Sequence, residues 1–463
     1  MKRFAGGLAL AAGCLALAPA ALAADGGEKK SDVERRLEEV LAELDAQRLE
    51  IDSLKAQIAK TQPSMLAAEV ANYLAAQDEA KKDPFEFTAK WSDGLKFESS
   101  DKAFSLKVGG RLMYDFVFPD ADDEVEAKAG DFDALSGMRR LRVEMGGTIW
   151  ENVFYYNSID FSDVDYAYKD NYVGIKKLPY VGHLQVGVFK APVGLEELST
   201  SKGITFTERS IATNAFAPAH QHGVMLYNGY YDNRLNWWLA DLWDGGTGVS
   251  RPQHGFVARV TGVPWMDKES DALLHVGASI NMPSQDTETD RFRARPETPF
   301  TPRTLDTKTI SADSERIFGL EAALKRGPLS VQAEYFDASI DGHEDAGSPP
   351  DPNFTGWYAA ASYFLTGESR SYKEGAFGKP KPKANFDGKG GTGAFEVALR
   401  YSRVDLDDDG VQGGVGDDIT LGLNWYLNPN ARIMLDYVTH DVRWDSDTDG
   451  NVNSVIVRFQ VDF

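Results

Sequence analysis

Lys107 and Arg111 lie four residues apart in one alternating segment and open a pattern of cations suited to holding an anion. Ser105, Lys107, Gly109, Arg111 and Asp115 share one parity, and Leu106, Val108, Leu112, Tyr114 and Phe116 share the other. Strand side chains alternate between faces, so both cations belong to a polar face. A second segment repeats the device: Arg140, Arg142 and Glu144 oppose Leu141, Val143 and Met145. Arg139 has the wrong parity but stands at the end of its strand, where a loop can turn it inward. A fixed guanidinium grips an oxyanion through paired N–H donors. A row of moderate sites lets an ion enter and leave, since transit fails where any one site binds too tightly. The alternative is that these cations pair with Asp115 and Glu144 on the same faces and only satisfy a wall.

The elements that position them are strands with one greasy and one polar face. The last eleven residues show the pattern most clearly. Val455, Val457, Phe459, Val461 and Phe463 alternate with Arg458, Gln460 and Asp462, and Ile456 is the one apolar exception. A chain stopping on an aromatic in such a strand is expected to close an outer-membrane barrel, although a soluble sheet can carry the same period. Period two begins at Phe85 and persists. It predicts about sixteen antiparallel strands, starting near Phe104–Phe118 and Met138–Gly147 and ending near Ala431–Thr439 and Asn453–Phe463. The fold class expected is all-β, a 16-stranded antiparallel transmembrane β-barrel over 94–463, wide enough for an aqueous lumen.

Composition agrees. Met1, Lys2 and Arg3, an apolar run and Ala21-Leu22-Ala23 read as a signal peptide over 1–23. The single cysteine, Cys14, falls inside it, so no disulfide is expected. Ala11 stands where a lipoprotein box usually has a larger aliphatic, which argues against lipidation. No later run of about eighteen apolar residues suggests a membrane helix. Among 463 residues, 43 glycines, 25 phenylalanines and 18 tyrosines suit a large barrel with aromatic girdles. A net charge of −22 argues against a nucleic-acid partner.

Ahead of the strands, 31–60 reads as a periplasmic α-helical coiled coil, followed by a linker over 61–93. Leu37, Leu44, Ile51 and Ile58 repeat every seven residues, with Val33, Val40, Gln47 and Leu54 as companion seam. The other reading of this segment is one amphipathic helix packed on its own domain. With the C-terminus in the periplasm, Asp120–Asp133, Pro283–Ser314, Asp341–Asn353, Asp405–Asp418 and Asp441–Asn451 fall outside the cell. The long connection Thr366–Gly391 falls on the periplasmic side and is expected to be a solvated excursion.

Several stretches, taken in order, resemble the phosphate-selective porin O and P family. They are Gly94–Ser99, Phe104–Leu112, Met138–Gly147, Val188–Glu196, Phe364–Glu368 and Leu421–Tyr426. The resemblance implies a trimer of sixteen-stranded barrels in a bacterial outer membrane, in contact with its lipid and lipopolysaccharide. It implies a pore narrowed by inward loops and lined by cations that pass phosphate. By resemblance, Lys102, Lys107, Arg111, Arg139 and Arg140 match basic pore-lining positions, and Arg142 shares their face. The segment Ala191–Gln221 is the expected constriction loop. Where the family places a lysine and then serines, this chain has Glu197, then Thr200, Ser201 and Lys202. Glu197 is expected to repel phosphate.

Arg291, Arg293, Arg295 and Arg303 lie in an outer loop, where they either form a basic vestibule or pair with Glu288, Asp290 and Glu297. The acids at 122–124, 407–409 and 417–418 read as hydrated outer loops. Seven histidines show no metal-ligand cluster, and no G-x-S-x-G motif appears. No catalytic residue, metal or cofactor is expected, and the histidines read as polar strand-end groups. The expected function is passive diffusion of small hydrophilic solutes, small inorganic anions including phosphate among them. The rivals are a general or cation-preferring pore, and an envelope tether in which the coiled coil is the main working part.

Overall fold

The computed structural model describes residues 28–61, 72–73, 86–162, 167–243, 254–283, 289–342 and 351–463. The span 1–23, read as a signal peptide, and most of the span read as a linker lie outside these residues. The chain divides into two units, Met1–Asp83 and Pro84–Phe463.

In the first unit, helix α1 spans Glu28–Thr61. At 1.5 Å per residue it is about 51 Å long. Leu37, Leu44, Ile51, Val40 and Leu54 are all exposed along it.

The second unit is a closed antiparallel barrel. Its strands are β1 (Ser105–Ala121), β2 (Leu135–Ile149), β3 (Val153–Asp160), β4 (Ala167–Leu178), β5 (Gly182–Lys190), β6 (His220–Tyr230), β7 (Leu235–Trp243) and β8 (Gly255–Asp267). They continue as β9 (Ala272–Met282), β10 (Ile310–Arg326), β11 (Leu329–Gly342), β12 (Asn353–Phe364), β13 (Ala394–Asp408), β14 (Val411–Asn428), β15 (Ala431–Arg443) and β16 (Asp449–Asp462). Each pairs with the next in sequence, and β16 closes on β1 with Ile456 opposite Val117 and Asp462 opposite Arg111. Sixteen strands is the number the alternation predicts.

The alternation also sorts the two faces. On β16, Val455, Phe459, Val461 and Phe463 point outward and are exposed, while Arg458, Gln460 and Asp462 are buried within the barrel. Ile456, the apolar exception, packs inside against Val117 and Val438. Its parity is that of the lumen, so it fills space there rather than facing lipid.

The C-terminal residue reaches only Gly110, with backbone bonds running both ways between Gly110 and Phe463. The lower part of β1 is covered instead by a hairpin, Phe87–Trp91 with Leu95–Ser99, whose second strand pairs Leu95 with Val108 and Glu98 with Ser105. The span read as a linker therefore ends in sheet. The hairpin caps an edge that would otherwise leave β1 unpaired.

One end of the barrel has six turns of two to four residues and carries Phe463; the other carries the longer loops. At the long-loop end, β13 and β14 run on to a turn at 409–410, through the span read as the loop Asp405–Asp418. The extension is stable because Leu406 and Val411 bury against Leu305 of the loop 283–309.

The lumen is filled on one side. Helix α2 (Leu195–Leu198) and helix α3 (Ile211–Phe216) belong to the loop 191–219, which folds inward. Phe216 packs with Phe292 and Phe336 in the main buried cluster, joining this loop and the loop 283–309 to the wall of β11 and β12. Gly194 starts α2 at φ +75°, a conformation glycine adopts without strain. A Cβ there would stand 2.7 Å from Glu334. That closeness lets the Glu334 carboxylate accept the otherwise orphaned N–H groups of Leu195 and Glu196, both at 2.7 Å.

The connection 365–393 corrects the expectation of a solvated excursion. Its first half enters the barrel from the short-turn end: Glu368, Arg370 and Phe377 are buried. The Phe377 N–H donates to Ser199 Oγ at 3.3 Å, so this insertion loop meets the loop 191–219. Its second half, from about Lys381, is exposed. The reason is chemical: Arg370 donates to Gln332 and lies over the Phe377 ring, and Arg259 donates to the Gly375 carbonyl at 2.8 Å.

Candidate functional site

The cations of β1 and β2 all reach the lumen, but by different routes. Arg111 and Arg142 follow parity. Arg111 donates to Ser201 and to Glu144, and Arg142 to Asp160 at 2.7 Å. Arg139 and Arg140 are consecutive, yet both turn inward. Met113 pairs with Arg140 and Tyr114 with Met138, so Arg139 is the extra residue of a β-bulge. A bulge re-aims a side chain without ending the strand. Arg139 then grips Glu208 of the loop 191–219 through two bonds of 2.6 and 2.7 Å. Arg140 is buried, with only a 3.5 Å contact to Met113 Sδ.

Two acids of the loop 191–219 are neutralised in place. Glu197 lies between Lys190 and Arg209, each 3.0 Å away. Burial alone would raise the Glu197 carboxyl, but Arg209 and Lys190 outweigh it and hold the group below the ordinary range. Glu208 behaves alike: burial works upward, and Arg139 beside it pulls the carboxyl well down. Glu144 bridges Arg111 and Lys202, the latter at 2.7 Å. Glu197 and Glu144 each serve two cations, so each grouping keeps one positive charge over. Ser201 is buried against Arg111, and Thr200 Oγ1 accepts the Lys202 N–H at 3.3 Å. Lys102 sits apart, exposed in the turn before β1 at φ +61°.

Two chambers carry these groups. At the long-loop end, a cavity of about 530 Å³ is lined by Arg139, Arg293, Arg295, Arg303 and Glu208. At the short-turn end, a cavity of about 330 Å³ is lined by Lys107, Lys202, Glu144 and Tyr156. Among the described residues, Lys107, Arg140, Lys169, Arg293, Arg295 and Arg303 have no carboxylate partner. Of the outer-loop arginines, Arg291 is the one that pairs nearby, with Asp306. Glu297 instead turns inward to Arg400 at 2.8 Å.

A sequence model of the phosphate-selective porin O and P family matches residues 106–463. The chain belongs to this family. Porin O of Pseudomonas aeruginosa is 29% identical over 433 residues, covering 82% of this chain and 94% of the relative. An uncharacterised protein of Caulobacter vibrioides is 29% identical over 425 residues, covering 87% of this chain and 82% of the relative. The outer membrane channel DcaP of Acinetobacter baumannii aligns over 79% of this chain and 99% of its own, at 12% identity and a TM-score of 0.49. Family and barrel place this porin in a bacterial outer membrane as a channel protein. The short-turn end is then the periplasmic end.

The porin's interior holds further cations beyond those of β1 and β2. Arg400, Arg432 and Arg458 lie on polar parity and are buried in the lumen wall. Arg458 holds Asp115 through two 2.6 Å bonds, so Asp115 serves this partner rather than Arg111. Lys169 is hidden from parity by a register shift between Asn157 and Ile159, next to which Asp170 reaches His220 at 3.3 Å. The histidines are not all strand-end groups. His275 and His440 are wholly buried, and His440 sits between Asp418 and Thr304 Oγ1 (2.9 Å). That chain latches the loop 283–309 to β14 and β15.

Proposed function

We propose that this porin is an anion-preferring diffusion channel that admits phosphate. One observation carries the reading. Glu144, Asp160, Glu197 and Glu208 beside the cation path are each held by a cation, while Lys107, Arg140, Lys169, Arg293, Arg295 and Arg303 have no carboxylate partner among the described residues. An excess of fixed positive charge in a low-dielectric passage favours anions. In this reading Arg293, Arg295 and Arg303 gather anions at the outer mouth. Arg139, Arg140, Arg142 and Arg111 hand them inward past Thr200, Ser201 and Lys202, and Lys107 and Lys102 release them to the periplasm. Glu197 lowers the charge there without lining the path as a free acid. The name of its relative, Porin O, and the family description support phosphate as a permeant.

The same reading makes the working form a homotrimer embedded in lipid and lipopolysaccharide, with α1 as a periplasmic coiled coil. The heptad repeat and its exposed seam support that assembly. The test is chloride current through the purified porin in a planar bilayer while phosphate is added. A saturable fall in chloride current is expected, because phosphate occupies the same guanidinium sites. Chloride current that ignores phosphate overturns the phosphate reading.

A further inference from the structure

The periplasmic half of the lumen also carries an arc of rings across five adjacent strands. Tyr156 stacks on Tyr172 at 5.8 Å, and Tyr172 meets Phe154 edge-on at 6.1 Å. Phe154 meets His183 at 6.2 Å, and His183 lies flat on Tyr227 at 4.6 Å with 7° between the planes. Trp238 continues the arc on β7. All six are half-buried, so part of each ring stays free.

Three of these rings, His183, Tyr227 and Trp238, line a chamber of about 550 Å³ between β5–β8 and the insertion loop, with Arg259 4.9 Å over one face of Trp238. That volume lies within the roughly 300–1,000 Å³ of small-molecule sites. Its charges cancel: Arg259 holds Glu321 through two 2.7 Å bonds, and Lys373 pairs with Glu374 at 2.8 Å. The outer chamber, with four arginines to one glutamate, is built for an anion; this one is not. Its polar wall is made of the amides Asn228, Asn233 and Asn236. The Asn233 amide and the Tyr227 hydroxyl have no protein partner among the described residues.

Free ring faces beside unpartnered neutral donors and acceptors narrow the ligand. Aromatic faces are electronegative and attract C–H groups. A flat aromatic solute covers the rings but leaves the amide and hydroxyl unpaired, which costs binding. A ring that offers C–H groups on its face and hydroxyls at its edge satisfies both. We propose that this chamber binds cyclic polyols, sugars of one or two rings, at a second recognition site apart from the anion-binding cations but in the same lumen, where a bound ring narrows the passage.

The test uses the purified full chain in a planar bilayer, with glucose or its open-chain counterpart sorbitol added on the periplasmic side. Glucose should lower the chloride current saturably, while sorbitol gives only the small linear fall of a thicker solution. Tyr227→Ala and Asn233→Ala should each weaken the glucose effect at least fivefold, and Arg295→Ala should leave it unchanged. Equal effects of glucose and sorbitol, or a glucose effect untouched by both chamber variants, overturns the proposal. If a variant does not insert, the wild-type comparison of the two solutes decides alone. Equilibrium dialysis of labelled glucose against the detergent-solubilised porin tests the same site without conduction: competition by excess unlabelled glucose but not by sorbitol supports the site, and no retention refutes it.

Discussion

Glu197→Gln is the substitution that tests the charge balance of the loop 191–219. By sequence, Glu197 is an acid at the narrow site that should oppose anions directly. In the structure it is buried between Lys190 and Arg209, 3.0 Å from each. Glutamine keeps a carbonyl oxygen for both donors but removes one negative charge, leaving the group two charges positive instead of one. At about 6 Å and an effective dielectric near 20, one unit charge acts on a passing ion with ~3 kcal/mol. Salt at 0.1 M has a screening length of about 10 Å and trims this. A net effect near 1.4 kcal/mol corresponds to about tenfold. The anion-to-cation permeability ratio should therefore rise roughly tenfold, read from the reversal potential of the variant against wild type in one KCl gradient. Folding must be checked in parallel, because removing one partner of a buried ion pair can cost about 3–5 kcal/mol. A well-folded variant with an unchanged ratio, or one shifted toward cations, refutes the claim that the net charge of the Lys190–Glu197–Arg209 group acts on passing ions.

Other outcomes follow from the same contacts. Arg140→Ala removes a buried guanidinium with no carboxylate partner and should lower the permeability ratio by about the same factor; reversal potential measures it. Because Arg139 holds Glu208 well below the ordinary glutamate value of 4.5, its contribution to the loop is fully present above that pH and is lost as pH falls toward the folded value. Proteolytic resistance of the loop 191–219 should stay flat from pH 8 to 5 and drop below 4, and Glu208→Gln should abolish that drop. Deleting 371–380 removes the insertion loop from the lumen and should raise single-channel conductance, with the barrel still resisting denaturation on a gel. Leu44→Asp with Ile51→Asp should dissociate the isolated 28–61 peptide, read by light scattering.

What the sequence made legible follows the reach of period two. Sixteen strands, the lipid-facing parity of β16 and the inward turn of Lys107, Arg111 and Arg142 all follow from alternation, a local property. The failures sit where alternation breaks or where the contact is distant. A bulge brings Arg139 beside Arg140, and a register shift conceals Lys169. The insertion loop resembled solvated chain because Lys379-Pro380-Lys381-Pro382-Lys383 is polar throughout. Its first half is held inside by Arg259 and Ser199, residues remote in sequence. Glu197 was legible as an acid in the constriction loop, but not as a neutralised one. Its partner Lys190 lies seven residues away and Arg209 twelve, and only the fold of the loop brings all three together.

The anion preference proposed for this pore rests on fixed positive charge setting its selectivity despite a chain charge of −22. The reversal potential of the wild-type porin in a planar bilayer across a KCl gradient reads that selectivity without any substitution. A potential on the chloride side of zero is predicted, growing as salt is lowered and screening weakens. A potential on the potassium side at low salt contradicts the proposal, and means that the acidic outer loops rather than the arginine path govern what enters.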